Sequence, residues 1–95
     1  MSLIEIVVEG DLESLTAALE KGADVNEADA AGATALHKAA SRGEANLVKA
    51  LIEANATVNV LDQAQQSALD WAVFDGHLEI ASMLIEAGAN VSSRD

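Results

Sequence analysis

The sequence reads as an all-α protein, an α-solenoid of stacked helix-turn-helix units joined by short hairpin loops. Three observations carry this. First, the chain repeats itself at a fixed interval of about 33 residues. Ala35-Leu36 returns as Ala68-Leu69, Ala39 as Ala72, Gly43 as Gly76, and Leu51-Ile52-Glu53-Ala54 as Leu84-Ile85-Glu86-Ala87. The same marks appear upstream as Gly10, Leu19-Glu20, Ala23 and Val25-Asn26. Second, all 6 glycines fall on marks of this frame, at 10, 22, 32, 43, 76 and 88, and none is left over for a phosphate-binding loop. Third, 51% of the residues are apolar but only 2% are aromatic. A supply of Ala, Leu, Ile and Val suits thin layers of short helices. A repeat of this length signals units that bury their apolar faces against neighbours, not a globule around one centre.

Ser2-x-x-Glu5 is a capping-box pattern, so a short helix is expected to begin at Leu3 and end at Gly10. Asp11 is a good N-cap for a second helix running through Lys21, with Leu12, Leu15 and Leu19 on one face. Gly22 supplies its left-handed stop. Asp29 to Gly32 forms a turn, and Thr34 caps a helix over Ala35–Arg42, broken at Gly43. A helix over Ala45–Ala54 follows, with Leu47, Val48, Leu51 and Ile52 as its buried stripe. Asn55 stands where glycine closes the other units, and it is the next best residue for left-handed backbone. Ser67-x-x-Asp70 caps a helix over Ala68–Asp75. The last helix runs over His77–Ala87, stopped by Gly88, with Ser92-Ser93-Arg94-Asp95 frayed beyond it.

These 95 residues make one domain, 1–95, divided as a part-repeat over 1–29 and repeats over 30–62 and 63–95. No apolar stretch is long enough to span a membrane, and the N-terminus has no basic segment before its apolar run, as a secretory signal would. With no cysteine there is no disulfide, thiolate zinc site or thiol nucleophile, which is compatible with a cytoplasmic setting. The formal net charge of −11 argues against nucleic acid and anionic membranes, whose binding rests on cations. It favours solubility and would steer a basic protein partner inward.

The unit resembles an ankyrin repeat. The resemblance rests on Asp29-x-x-Gly32-x-Thr34-Ala35-Leu36-His37-x-Ala39-Ala40-x-x-Gly43, and on the closing runs Gly22-Ala23-Asp24-Val25-Asn26 and Gly88-Ala89-Asn90-Val91. It covers nearly the whole chain. Two departures stand out. The motif proline is Ala35 and Ala68 here, and the third repeat has Gln65 for the loop glycine and Asp70 for the histidine. The third hairpin is therefore where the chain departs most from the resemblance. The resemblance implies a non-enzymatic protein-binding module without cofactor, in which Thr34 and His37 tie neighbouring turns by hydrogen bonds. His77, just after a helix break, caps the last helix or faces water. With no third ligand beside it, a zinc site is not expected.

The repeat frame sorts the charged residues into columns. Glu20, Glu53 and Glu86 share one register and form a hydrated acidic ridge. Glu5, Lys38 and Trp71 share another, so that Lys38 can pair with Glu5 and lie against the Trp71 ring. Glu9, Arg42 and Asp75 share a third, so that Arg42 can pair with carboxylates on both sides. Trp71 and Phe74 replace Lys38 and Ser41, polar types tolerated in water, so both rings are expected to face solvent in the concave groove that the resemblance implies. The opposing account is that they fill a gap in the stack. The expected binding surface comprises the groove residues Lys38, Arg42, Trp71, Phe74 and Asp75, and the loop-tip residues Ala31, Ala33, Gln63 and Gln66. Two other functions are consistent with the sequence: an acidic mimic that occupies a basic site, and a spacer within a longer array. The C-terminal face, with Ile80, Met83, Leu84 and Ile85, is expected to be under-capped and open to self-association or to a further repeat.

Overall fold

The computed structural model of the chain describes residues 2–89. Six helices run in pairs: α1 (Leu3–Glu9) with α2 (Leu12–Glu20), α3 (Ala35–Arg42) with α4 (Ala45–Glu53), and α5 (Ala68–Phe74) with α6 (Leu78–Glu86). The first helices of the pairs stack as α1, α3, α5, and the second as α2, α4, α6, which makes two layers within an envelope of 39 × 26 × 20 Å.

Helices of seven to nine residues are too short to persist alone in water, so they depend on their ends and their neighbours. Ser2 and Glu5, Thr34 and His37, and Ser67 and Asp70 form reciprocal capping boxes at the starts of α1, α3 and α5. Asp11 caps α2 by accepting from the backbone N–H groups of Glu13 and Ser14. Leu15, Leu36, Leu47, Val48, Leu51 and Leu84 form the centre of the core. Ala39, Ala40 and Ala72 expose no surface, and their small side chains let α1, α3 and α5 approach closely. Each expected helix is present with ends within a residue of expectation, and α4 and α6 follow Glu44 and His77 without a side-chain capping bond. Asn55 adopts φ 68, the left-handed stop expected of it. The expected fraying of Ser92-Ser93-Arg94-Asp95 lies outside the described residues.

The third hairpin, where the chain departs from the resemblance, repeats the geometry of the second. Asp62 Oδ1 accepts from the N–H groups of Ala64 and Gln66, as Asp29 Oδ1 does from Ala31 and Ala33. Gln65 takes φ 64 where Gly32 takes φ 82. The reason a side chain is accommodated there is spatial. A Cβ at Gly32 would lie 3.1 Å from the backbone nitrogen of Gln63 in the next hairpin, whereas Gln65 is exposed. His77 stands at the N-cap of α6, but its side chain makes no capping bond and is half-buried. Its Nε2 lies 3.1 Å from the carbonyl oxygen of Ser41, and its ring covers Gly43, where an added Cβ would come within 2.6 Å of Cε1. Of the C-terminal apolar residues, Ile80 and Leu84 are 2% and 0% exposed because they turn inward to the core, and Met83 is half-buried. On α6, Leu78 and Ile85 are the exposed large apolar residues.

The two hairpins thus respond oppositely to glycine. Gln65→Gly should stabilise the fold by about 1 kcal/mol by relieving left-handed strain, and Gly32→Ala should destabilise it by at least that amount. Urea unfolding midpoints of the two variants against the parent check both signs.

Candidate protein-binding surface

The surface is built on a ladder of contacts between successive repeats. At its base is His37, almost wholly buried. The Thr34 backbone N–H donates to His37 Nδ1 at 3.0 Å, so the ring proton resides on Nε2, which donates to the Gln66 carbonyl at 2.9 Å. One imidazole therefore closes its own helix start and holds the next hairpin. Two further bonds tie hairpin to hairpin. The Gln63 N–H donates to the Ala31 carbonyl at 2.9 Å, and the Gln63 side-chain amide donates to the Ala30 carbonyl at 2.9 Å.

Asp29 and Asp62 organise the turns, and both carboxyls are held below the ordinary Asp value of 3.8. For Asp29 the Ala33 N–H is the largest cause, opposed by desolvation and reinforced by the Ala31 N–H and by Lys38. For Asp62 the Gln66 N–H leads, opposed by desolvation and reinforced by the Trp71 indole N–H and the Ala64 N–H.

Trp71 and Phe74 do not behave as a pair. Trp71 is half-buried: its Nε1–H donates to Asp62 Oδ2 at 3.0 Å, and its ring meets His37 edge-on at a centroid distance of 5.4 Å. Burying the indole N–H is tolerable because it finds a carboxylate. Phe74, on the same helix, is 88% exposed. Phe74 fits the solvent-facing expectation, and Trp71 only in part.

The cations also find partners other than those expected. Lys38 Nζ pairs with Asp29 at 3.4 Å and sits 5.5 Å from the centre of the Trp71 ring. The stacking on Trp71 is as expected, but Glu5 is not the carboxylate, because Glu5 is engaged in capping α1 through the Ser2 N–H. Arg42 does not bridge Glu9 and Asp75. Its Nη2 pairs with Glu44 at 2.8 Å and its Nη1 donates to the Val8 carbonyl at 2.6 Å. Asp75 instead accepts from the Ser41 hydroxyl at 2.9 Å.

Of the loop-tip residues, Ala31, Gln63 and Gln66 are exposed. Ala33 is 1% exposed because it closes the Asp29 turn, exchanging backbone and side-chain bonds with Asp29, and its side chain leaves the candidate surface. Gln66, Trp71, Phe74, Asp75 and Ser41 line a shallow cavity of about 300 Å³. Ser41 was legible in the sequence as the register partner of Phe74, but not as a lining residue. A second cavity of about 310 Å³ lies between Ile4, Glu5, Val8, Glu9, Asp29 and Lys38. Ile4 and Val8 carried no sequence signal, because an apolar residue on α1 reads as core. The acidic ridge residues Glu20, Glu53 and Glu86 are all exposed. No group of His, Asp and Glu among the described residues could hold a metal ion, and no described helix is long and apolar enough to cross a membrane.

The folded pKa of Asp29 and of Asp62 lies below the unfolded value, so their stabilisation is complete above pH 3.8 and is lost as the pH falls through the lower folded values. Asp62→Asn should lower stability at neutral pH and flatten its decline in acid. Urea midpoints measured from pH 7 down to pH 2.5 check this, and a decline as steep as the parent's would contradict it.

With this geometry in view, the comparison with known families is specific: the model for ankyrin repeats (3 copies) matches residues 3–95. No curated protein matches the sequence.

Proposed function

Because the chain belongs to the ankyrin repeat family, whose members are generally protein–protein interaction modules and typically non-enzymatic, we propose that it binds a partner protein through the groove between α3 and α5. The observation that carries this reading is Phe74. A ring 88% exposed, on the rim of a cavity and in a chain with 1 Phe and 1 Trp, has no role in the stack. Covering such a ring contributes roughly 1.5–3 kcal/mol to association. Mechanistically the module is passive. Ala31, Gln63 and Gln66 form the rim, Lys38 and Arg42 lie on the neighbouring helix, and Trp71 supports the wall beside Phe74. The net charge of −11 favours a basic partner and speeds its approach at low salt.

The test compares two single variants. Phe74→Ala should leave urea unfolding within ~0.5 kcal/mol of the parent, since the ring packs against so little. Trp71→Ala should cost roughly 1.5–3 kcal/mol, the range for a hydrogen bond to a charged group. Affinity capture with parent and Phe74→Ala baits, read by quantitative mass spectrometry, should show partners lost with the ring. Equal recovery by both baits would sink the groove reading. Recovery that depends on salt and not on Phe74 would favour the acidic mimic.

Self-association through the C-terminal face is a second reading, favoured by one comparison of registers. Ala45 and Ile52 in the second repeat are half-buried, whereas Leu78 and Ile85 at the same positions are 71% and 48% exposed. Sedimentation at several concentrations should show a mass that rises with concentration. A concentration-independent monomer would discard this reading.

A further inference from the structure

The inner layer carries another open face, between α1 and α3. On α1, Ile4 and Val8 stand four residues apart and so share one side of the helix, with Glu5 and Glu9 in the adjacent row. Ile4 is half-buried against the core, and Val8 is 49% exposed. These four residues line the cavity of about 310 Å³ from one side, and Asp29 in the hairpin turn and Lys38 on α3 complete its lining. The cavity is thus internal to the stack, walled by two successive units. At the register of Val8 the next repeat has Ser41, which donates to Asp75. A polar residue serves at this position in the same fold, and Val8 takes no part in the buried core.

The carboxylates at this cavity are not answered by the cations that stand nearest in register. Glu5 and Glu9 lie four apart on one helix, where like charges repel. Lys38 and Arg42 occupy the matching positions of α3, but each turns to another carboxylate, Lys38 to Asp29 at 3.4 Å and Arg42 to Glu44 at 2.8 Å. Lys38 is also held by the Trp71 ring, whose centre is 5.5 Å from its Nζ. Glu5 accepts from the neutral Ser2 N–H, and neither Glu5 nor Glu9 forms an ion pair among the described residues. The rim therefore sets Glu5, Glu9 and Asp29 against the one cation Lys38.

Building on the protein-binding reading, we propose that this cavity seats a lysine of the partner protein, its stem on Ile4 and Val8 and its ammonium between Glu5 and Glu9. The occupant follows from the two rows together. An apolar row alone takes any aliphatic side chain, and an acidic row alone takes any cation. A long basic side chain joins an aliphatic stem to a charged head and covers both rows at once. Lysine is preferred to arginine because a compact ammonium with three rotatable donors serves two separate carboxylates, whereas the planar guanidinium fork suits one. The net charge of −11 draws such a segment inward.

The seat can be tested without a known partner. The intact chain is titrated at low ionic strength with the peptide acetyl-Gly-Lys-Gly-amide and followed by amide NMR shifts. Control peptides change one feature each: norleucine keeps the stem without the charge, diaminopropionate keeps the charge on a one-carbon stem, and arginine changes the head. The lysine peptide should give the steepest shifts, confined to residues 4–10, Asp29 and Lys38. Glu9→Gln should lower their slope about threefold, the equivalent of one exposed ion pair. Glu53→Gln, which removes the same charge elsewhere, should leave the slope unchanged. Val8→Ser should bring the lysine slope down towards that of the diaminopropionate peptide. Absence of shifts on α1, an equal slope from any control peptide, or indifference to Glu9→Gln would each overturn the seat. The protein-binding reading fails separately, through equal partner capture by parent and Phe74→Ala. A captured partner that needs Phe74 but tolerates Glu9→Gln overturns the lysine seat alone.

Discussion

Everything in this molecule depends on polar groups of one repeat being satisfied by the next. His37 is the centre of it. Its Nδ1 takes the N–H of Thr34 and its Nε2–H reaches the carbonyl of Gln66, so the start of α3 and the third hairpin share one buried ring. A buried imidazole without both bonds would be a liability, because an unsatisfied polar group costs its full desolvation. With both bonds made it fixes the spacing and rotation of adjacent repeats. The apolar contacts supply most of the stabilisation, but aliphatic side chains alone tolerate many offsets. The directional bonds select one.

The same logic runs along the inner layer. Arg42 closes α1, His77 closes α3 and covers Gly43, and Gln63 holds the second hairpin through Ala30 and Ala31. Each of these three ties points from one repeat to the one before it, whereas His37 reaches forward to the next. Side chains that look like free surface charges in the sequence are therefore already engaged: Lys38 with Asp29 and the Trp71 ring, Arg42 with Glu44 and Val8.

Much of this was legible before any coordinate. The period located every helix, capping residues located the starts of α1, α2, α3 and α5, and the positive-φ positions located the ends, with Asn55 correctly read as a glycine substitute. At Gln65 the sequence shows that a glycine is missing but not whether anything packs against the site. Gly32 lies against the next hairpin and Gln65 does not. Ile80 and Leu84 were taken as end-face residues on apolar character alone, although both turn inward. Ala33 was placed at a loop tip by its number in the chain, whereas the Asp29 turn folds it beneath.

What the sequence determined by itself is whatever depends on local backbone chemistry and on the repeat: helix starts, turn conformations, the stacked arrangement and the composition of each column. Those are set by interactions within a few residues and by strict periodicity. Tertiary structure decided which member of a column meets which neighbour. Register brings Glu5, Lys38 and Trp71 to the same height, but the reach and prior engagement of each side chain choose the pairs, so Lys38 goes to Asp29 once Glu5 is capping α1. Trp71 and Phe74, three residues apart and alike in the sequence, part for the same reason. The indole has a carboxylate within hydrogen-bonding distance at Asp62, and the phenyl ring has nothing to draw it inward.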